Sequence, residues 1–265
     1  MTASITISNA PDVRYLLRIA DTCLILAQRL AEWCGHGPVL EEDIALTNMA
    51  LDLVGQARAV LTRAGELEGH AGGIARDEDQ LAYLRDERDY LNLTLVELPG
   101  GPREGDFAVT VLRNFVMASW LKLLWQRLER SSDAEVAGIA AKAVKEARYH
   151  QQHAADWMLR LGDGTDESAA RLRAALEQLW PYVAEMFDAD EIDADAVRCG
   201  LGPSRAELQD GWRAEVLPVL SAARLSPPAE RAFRSTGTQG RHSEHMGYIL
   251  AEMQHLQRTF PGATW

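Results

Sequence analysis

Cysteine is scarce in this chain, with only Cys23, Cys34 and Cys199 among 265 residues. Cys23 and Cys34 lie eleven residues apart on one predicted helix, about three turns, too far to pair with each other. That excludes a disulfide framework and fits reduced thiols serving as small apolar residues in a cytoplasmic protein. Positive charge is also short: 27 Lys and Arg stand against 39 Asp and Glu, a formal net charge of -12. Nucleic acid and anionic membrane both need clustered bases, so neither is an expected partner. No basic-then-apolar leader opens the chain and no uninterrupted run of ~18 apolar residues occurs, so no membrane span is expected. Strand-period alternation is too slight to assign a strand, and low-complexity tracts, a Gly-rich phosphate loop, a Ser/His/Asp arrangement and Cys-x-x-Cys are all missing. Nucleophilic catalysis and nucleotide hydrolysis therefore have no support.

What the chain has in abundance is helical periodicity. Leu16, Ala20, Leu24, Ala27, Leu30 and Ala31 recur at three and four, with Pro11 near the start and Gly35 and Gly37 at the end. A second helix opens after Pro38 on Glu41, Glu42 and Asp43, acids at the positive end of the helix dipole. Asp77 and Gln80 have capping-box spacing, as do Ser132 with Glu135 and Ser204 with Glu207. The stretch from Phe107 to Arg130 is apolar around most of its circumference, which predicts burial in the middle of a bundle. The periodicity predicts core helices at about 12–34, 40–65, 107–130 and 133–161, and flanking helices at 77–98 and within 165–260 (165–188, 204–223 and 243–258). The expected fold is all-α: a ferritin-like four-helix bundle with additional flanking helices, one domain over 1–265. Two links are short and imply antiparallel neighbours. The link between the second and third core helices is long, as in bundles with a crossover.

A di-iron carboxylate bundle draws one Glu from each of two helices and Glu-x-x-His from each of the other two. Iron takes oxygen donors and imidazole, and the i, i+3 spacing sets acid and His on one face. The second core helix has Asp52 followed by Leu53, Val54 and Gly55, so the acid is shortened and glycine stands where histidine is needed. Between Phe107 and Leu128 the charged residues are Arg113, Lys122 and Arg127, with no acid. Three positions after Glu146 stands Tyr149, with His150 one further on and His153 beyond it. The first helix offers Asp21 and Glu32. Two or three ligands do not hold two irons, so no catalytic, cofactor-binding or metal residue is assigned. The polar remnants at the degenerate metal position are Asp52, Gln56, Glu146 and His150, with Asn48 on the same stripe as Asp52 and Gln56. They read either as a helix-edge polar stripe or as a buried hydrogen-bonded cluster. In the second case Asp52 and Glu146 need a base such as Lys145 or Arg148. Glu252 and His255 form a literal Glu-x-x-His near His242, Glu244 and His245, but without a matching motif on another helix they read as a surface or interface helix. Tryptophans such as Trp33, Trp157, Trp180 and Trp212 read as core and interface anchors.

Several segments share one likeness. The run AEWCGHGPVLEEDIAL at 31–46, ALDLVGQAR at 50–58, KAVKEARYH at 142–150, RLGDGT at 160–165, and the tail segments 250–254 and 256–258 resemble, in the same order, the C subunits of phenylacetyl-CoA epoxidase, the multicomponent phenylacetate-CoA ring oxygenase. The resemblance implies a ferritin-like, structural and non-catalytic subunit that holds no cofactor of its own. Its implied partner is a homologous catalytic A subunit that holds the di-iron centre and epoxidises the CoA-activated ring, with electrons from a reductase and with other members of the complex. It further suggests a share in the surface that meets phenylacetyl-CoA, with no residue here assigned to that role. Two other readings stay open from the residues alone: an independent metal-binding ferritin-like enzyme, and a homo-oligomeric binding protein.

Overall fold

The computed structural model describes residues 4–70, 73–102, 106–229 and 232–263. The predicted breakers at 69–75 and 99–105 lie partly outside them. Ten α-helices are present among the described residues, and one isolated bridge, Thr236 with Arg241, is the only β pairing. The four long ones are α1 (Pro11–Ala31), α2 (Leu40–His70), α4 (Phe107–Leu128) and α5 (Ala134–Gly162). Between α2 and α4 lies the short α3 (Glu78–Tyr83), capped by the Asp77/Gln80 box the sequence announces. Then come α6 (Asp166–Leu179), α7 (Glu191–Cys199), α8 (Gln209–Ala222), α9 (Met246–Met253) and α10 (His255–Thr259). This is the expected all-α bundle with flanking helices.

The short links make α1 with α2, and α4 with α5, the closest-packed pairs. At the first link α1 stops at Ala31, earlier than expected, and the chain reverses through Gly35 at φ +77°, a left-handed position that favours glycine. At the second, the predicted Ser132 cap is replaced by its neighbour. Asp133 accepts from the Glu135 and Val136 amides, while the Ser132 hydroxyl donates to Cys199 O beside α7. Helix α4 is apolar on nearly every side. By length and composition it could cross a membrane, but 83% of its most apolar window is buried in the protein, which is the central position its sequence predicts.

The segment expected as a helix over 77–98 is α-helical only at its start, with single 3-10 turns at Glu87–Asp89 and Thr94–Val96 after it. From Tyr90 to Val96 every residue is buried, and Leu91, Leu93 and Leu95 are fully enclosed. Its amides are satisfied by side chains of neighbouring elements: Leu91 N–H donates to Asp21 Oδ2 at 2.9 Å, Leu93 N–H to Thr22 Oγ1 at 3.2 Å and Thr94 N–H to Glu185 Oε2 at 3.0 Å. Because these acceptors replace i−4 carbonyls, the chain can run irregular and buried. Two further expectations are corrected: the 165–188 helix turns 3-10 at Trp180–Phe187, where Pro181 sits at the junction, and the last helix is divided between Met253 and His255. A helix that the periodicity did not announce, α7, arises on an Asp190/Asp193 capping box.

The flanking elements are distributed unevenly. α7 and α9 pack on α1, whereas α6 and α8 pack on α4 and the near edge of α5. α2 packs chiefly on α1, α5 and the short α3. One layer of the bundle, α1 with α4, is therefore covered, and the other, α2 with α5, faces outward.

Candidate functional site

Where α2 and α5 run side by side, antiparallel, polar side chains cross the seam in register. His153 Nε2 lies 3.0 Å from Glu42 Oε2, His150 Nε2 is 3.0 Å from Asp52 Oδ2, Gln56 Nε2 donates to Glu146 Oε2 at 3.0 Å, and Arg63 Nη2 is 2.8 Å from Asp133 Oδ2. As the α2 number rises the α5 number falls, which is the signature of antiparallel neighbours. The two middle rungs are the four residues the sequence singles out, so the structure brings Asp52, Gln56, Glu146 and His150 together.

Gln56 joins all four bundle helices. Its Nε2 reaches Glu146 on α5, and its Oε1 accepts from Trp125 Nε1 on α4 at 3.2 Å and from the Cys23 thiol on α1 at 3.7 Å. Gln56 is 3% exposed, and Trp125 and Cys23 are fully enclosed. An amide suits this place because it carries both donors and an acceptor at one tip and no net charge, so a central polar link adds no buried ion. Burial pushes the Cys23 thiol well above its ordinary range, which keeps it a neutral, weak donor.

His150 is 2% exposed, and burial holds its pKa below the ordinary histidine value despite the opposing pull of Asp52. The carboxylate is an acceptor, so Nε2 carries the proton of a neutral ring and donates it to Asp52. The bases that meet the two acids are not those expected. Asp52 meets His150, and Glu146 meets Lys142 one turn back, at 3.4 Å, whereas Lys145 and Arg148 are exposed. Asn48 also faces solvent and takes no part.

The donors here do not fit a di-iron centre. Asp52, Glu146 and His150 are each committed to a neighbour, and Gly55 and the 54% exposed Tyr149 hold the positions of the missing histidines. Asp21 on α1 is bound by Arg85 and the Leu91 amide, and Glu32, just past the end of α1, by Arg29 at 2.5 Å. Among the described residues no three His, Cys, Asp or Glu side chains converge as metal ligands. Glu252 and His255 are exposed and lie on either side of the break between α9 and α10.

His242, near that decoy, has a different role. Nδ1 is 2.6 Å from Glu97 Oε1 and Nε2 is 2.9 Å from Tyr90 O, both acceptors, so both ring nitrogens carry protons. Burial opposes that charge, but Glu97 outweighs it and the pKa is raised. Sequence reading missed this buried imidazolium, and it missed the networks on the outer side of α1. There Arg18 holds Asp190 through two bonds of 2.8 and 2.5 Å, and Asp193 links Arg18 to Arg205. Burial raises the Asp190 pKa, but the Arg18 fork overrides it and holds the carboxyl far below the usual range. A cavity of about 200 Å³ floored by Trp180, Phe187 and Trp212 lies among the flanking elements, away from the four-residue cluster.

The family described as phenylacetic acid catabolic protein matches residues 2–265. The C subunit of 1,2-phenylacetyl-CoA epoxidase from Escherichia coli (strain K12) is 48% identical over 251 residues, spanning 95% of this chain and 98% of that protein. The segmental likeness read from the sequence thus extends over the whole length, and the chain belongs to the phenylacetic acid catabolic protein family.

Proposed function

We propose that this chain is the structural, non-catalytic C-type subunit of a cytoplasmic multicomponent oxygenase that epoxidises the aromatic ring of phenylacetyl-CoA. Its direct partner is the homologous A subunit, which holds the di-iron centre and receives electrons from a reductase component. The observation that carries this reading is the Gln56 link. The bundle helices are joined at their centre by one neutral amide, and Asp52 and Glu146 face His150 and Lys142, so these polar groups bond one another instead of converging on a shared ion, which supports a structural role. Rigidity of that kind is what a catalytic bundle needs from a neighbour, because ligands positioned to fractions of an ångström depend on a firm supporting shell. The similarity to the C-type epoxidase protein of E. coli supports the assignment.

The test is reconstitution. Purified alone, the chain is expected to carry no stoichiometric iron; purified with the A subunit, it is expected to form a stable complex and to be required for ring epoxidation. Stoichiometric iron in the lone chain, lost on Glu146→Ala or His150→Ala, would overturn the reading. So would the absence of any complex at micromolar concentration.

A further inference from the structure

The cavity among the flanking elements is built by a change of helix type. α6 ends at Leu179, and Pro181, which has no amide to donate, carries the chain into the 3-10 stretch Trp180–Phe187. Three residues per turn stack side chains at i and i+3. Trp180 and Val183 therefore form one row, Pro181, Ala184 and Phe187 the next, and all five line the cavity. The facing wall is the start of α8, where Gln209, Trp212 and Arg213 share a face at spacings of three and four. Trp212 is 1% exposed and its Nε1 donates to Val116 O at 3.0 Å, so the indole is held in place. Its ring centroid lies 5.3 Å from that of Phe187 and 6.0 Å from that of Trp180. Charge is confined to the mouth, where Arg213, Arg234 and Asp188 are exposed.

We propose that this cavity is a binding site for a small aromatic carboxylate, one six-membered ring with a short acidic arm. Volume sets the size. An apolar cavity of about 150 Å³ takes a single benzene ring, so about 200 Å³ holds one ring and a few further atoms. A flat ligand suits walls of tryptophan and phenylalanine, because ring against ring adds to plain burial. Concave, mostly apolar sites with a few polar groups at one side are where small molecules bind. Charge sets the acid. In a chain of net charge -12, the described residues lining this cavity carry two guanidiniums and one carboxylate. Asp188 Oδ2 is 3.9 Å from Arg234 Nε, beyond hydrogen-bond reach, so that acid does not close the mouth. Both arginines have other contacts, which position them; a guanidinium has five donors, so those contacts and a bound carboxylate are compatible. An ammonium ligand would meet repulsion there. The site lies apart from the Gln56 cluster and does not depend on the subunit role proposed above.

The experiment is a ligand-observed NMR titration of the full-length chain with phenylacetate, acetate and benzyl alcohol. Acetate has the acid without the ring, and benzyl alcohol the ring without the acid. Phenylacetate is expected to bind at least about ten-fold more tightly than either. Ala184→Phe, which puts a ring of the protein's own into the cavity, is expected to abolish binding of phenylacetate and benzyl alcohol. Arg213→Gln/Arg234→Gln, at exposed sites, is expected to bring phenylacetate down to the level of benzyl alcohol and leave benzyl alcohol unchanged. Circular dichroism checks that each variant is folded; if Ala184→Phe is not, the arginine pair and the three probes carry the test. Phenylacetate binding no tighter than acetate would overturn the ring slot. Binding no tighter than benzyl alcohol would overturn the basic mouth. Tight binding retained in both variants would put the ligand elsewhere on the chain and overturn the site.

Discussion

The two layers of this bundle treat charge in opposite ways. On the covered layer, α1 carries Arg18, Asp21 and Arg29 buried against flanking segments, each with partners of matching geometry. Asp21 with Arg85 is the extreme case: both are wholly enclosed, and the guanidinium bonds both carboxylate oxygens. On the open layer the polar pairs are weaker and partly wet: Asp52 is 38% exposed and its partner His150 is a neutral ring. The difference shows where specificity is built into this fold. Irregular segments, lacking helical hydrogen bonds, are fixed onto α1 by charged side chains that only one arrangement satisfies, whereas the regular α2–α5 seam needs only register.

The largest expected effect follows from the Asp21–Arg85 pair. Asp21→Ala leaves a buried guanidinium without its carboxylate and the Leu91 amide without its acceptor, a loss of roughly 3–5 kcal/mol. The matching change on the open layer, Asp52→Ala, removes a pair that water can replace and should cost no more than about 1 kcal/mol. Denaturant unfolding of both variants compares them directly. Equal losses would mean that the layers do not differ in the way argued.

The pH dependence sharpens the contrast, because the two histidines have opposite signs. The folded pKa of His242 is raised above 6.5 by Glu97. Its contribution to stability is therefore complete below pH 6.5 and is lost as pH rises through the higher folded value. The folded pKa of His150 is lowered by burial. Its contribution is present above pH 6.5 and is lost as pH falls through the lower folded value. Comparing His242→Gln and His150→Gln with the native chain between about pH 5 and 8 should show the two stability differences changing in opposite directions. If both change in the same direction, one of the two protonation assignments is wrong.

The same division governs how much was legible in the sequence. The long helices are written in their periodicity, and α1 to α2 and α4 to α5 pair because their links leave no alternative. The four polar residues of the α2–α5 seam could be found because each lies on a regular helix, where spacing fixes direction. Lys142 as the partner of Glu146 was readable too, since i, i+4 pairs share a face. The segment after Tyr83 was not legible: its apolar residues suit a helix, and only the acceptors Asp21, Thr22 and Glu185, distant in sequence, make an irregular path preferable. The alternation of Leu91, Leu93 and Leu95 was the available signal. Gln56 was identified as polar and near the centre, but its bonds to Trp125 and Cys23 depend on how four helices converge. The exposed apolar residues of α2, Leu40, Ile44, Leu51 and Val54, had a signal as well, since they fall outside the core register of Leu46, Leu53 and Val60.

The smallest expected effect concerns Gly55, which stands where a metal-binding bundle would place histidine. A glycine inside a helix costs about 0.5–1 kcal/mol relative to alanine, because the unfolded chain has more freedom to lose. At Gly55 an added Cβ meets nothing within 4 Å, so Gly55→Ala should recover that amount and raise the unfolding midpoint. At Gly162, where α5 ends against the covered side, a Cβ would lie 2.3 Å from the Ala223 carbonyl oxygen, and the same substitution should destabilise. Opposite signs for one chemical change would show that the outward side of α2 has room where the end of α5, packed against Ala223, has none. If Gly55→Ala stabilises the lone chain but weakens its complex with the A subunit, the glycine is held by close approach of the partner. If it stabilises both equally, the partner does not pack against that turn of α2.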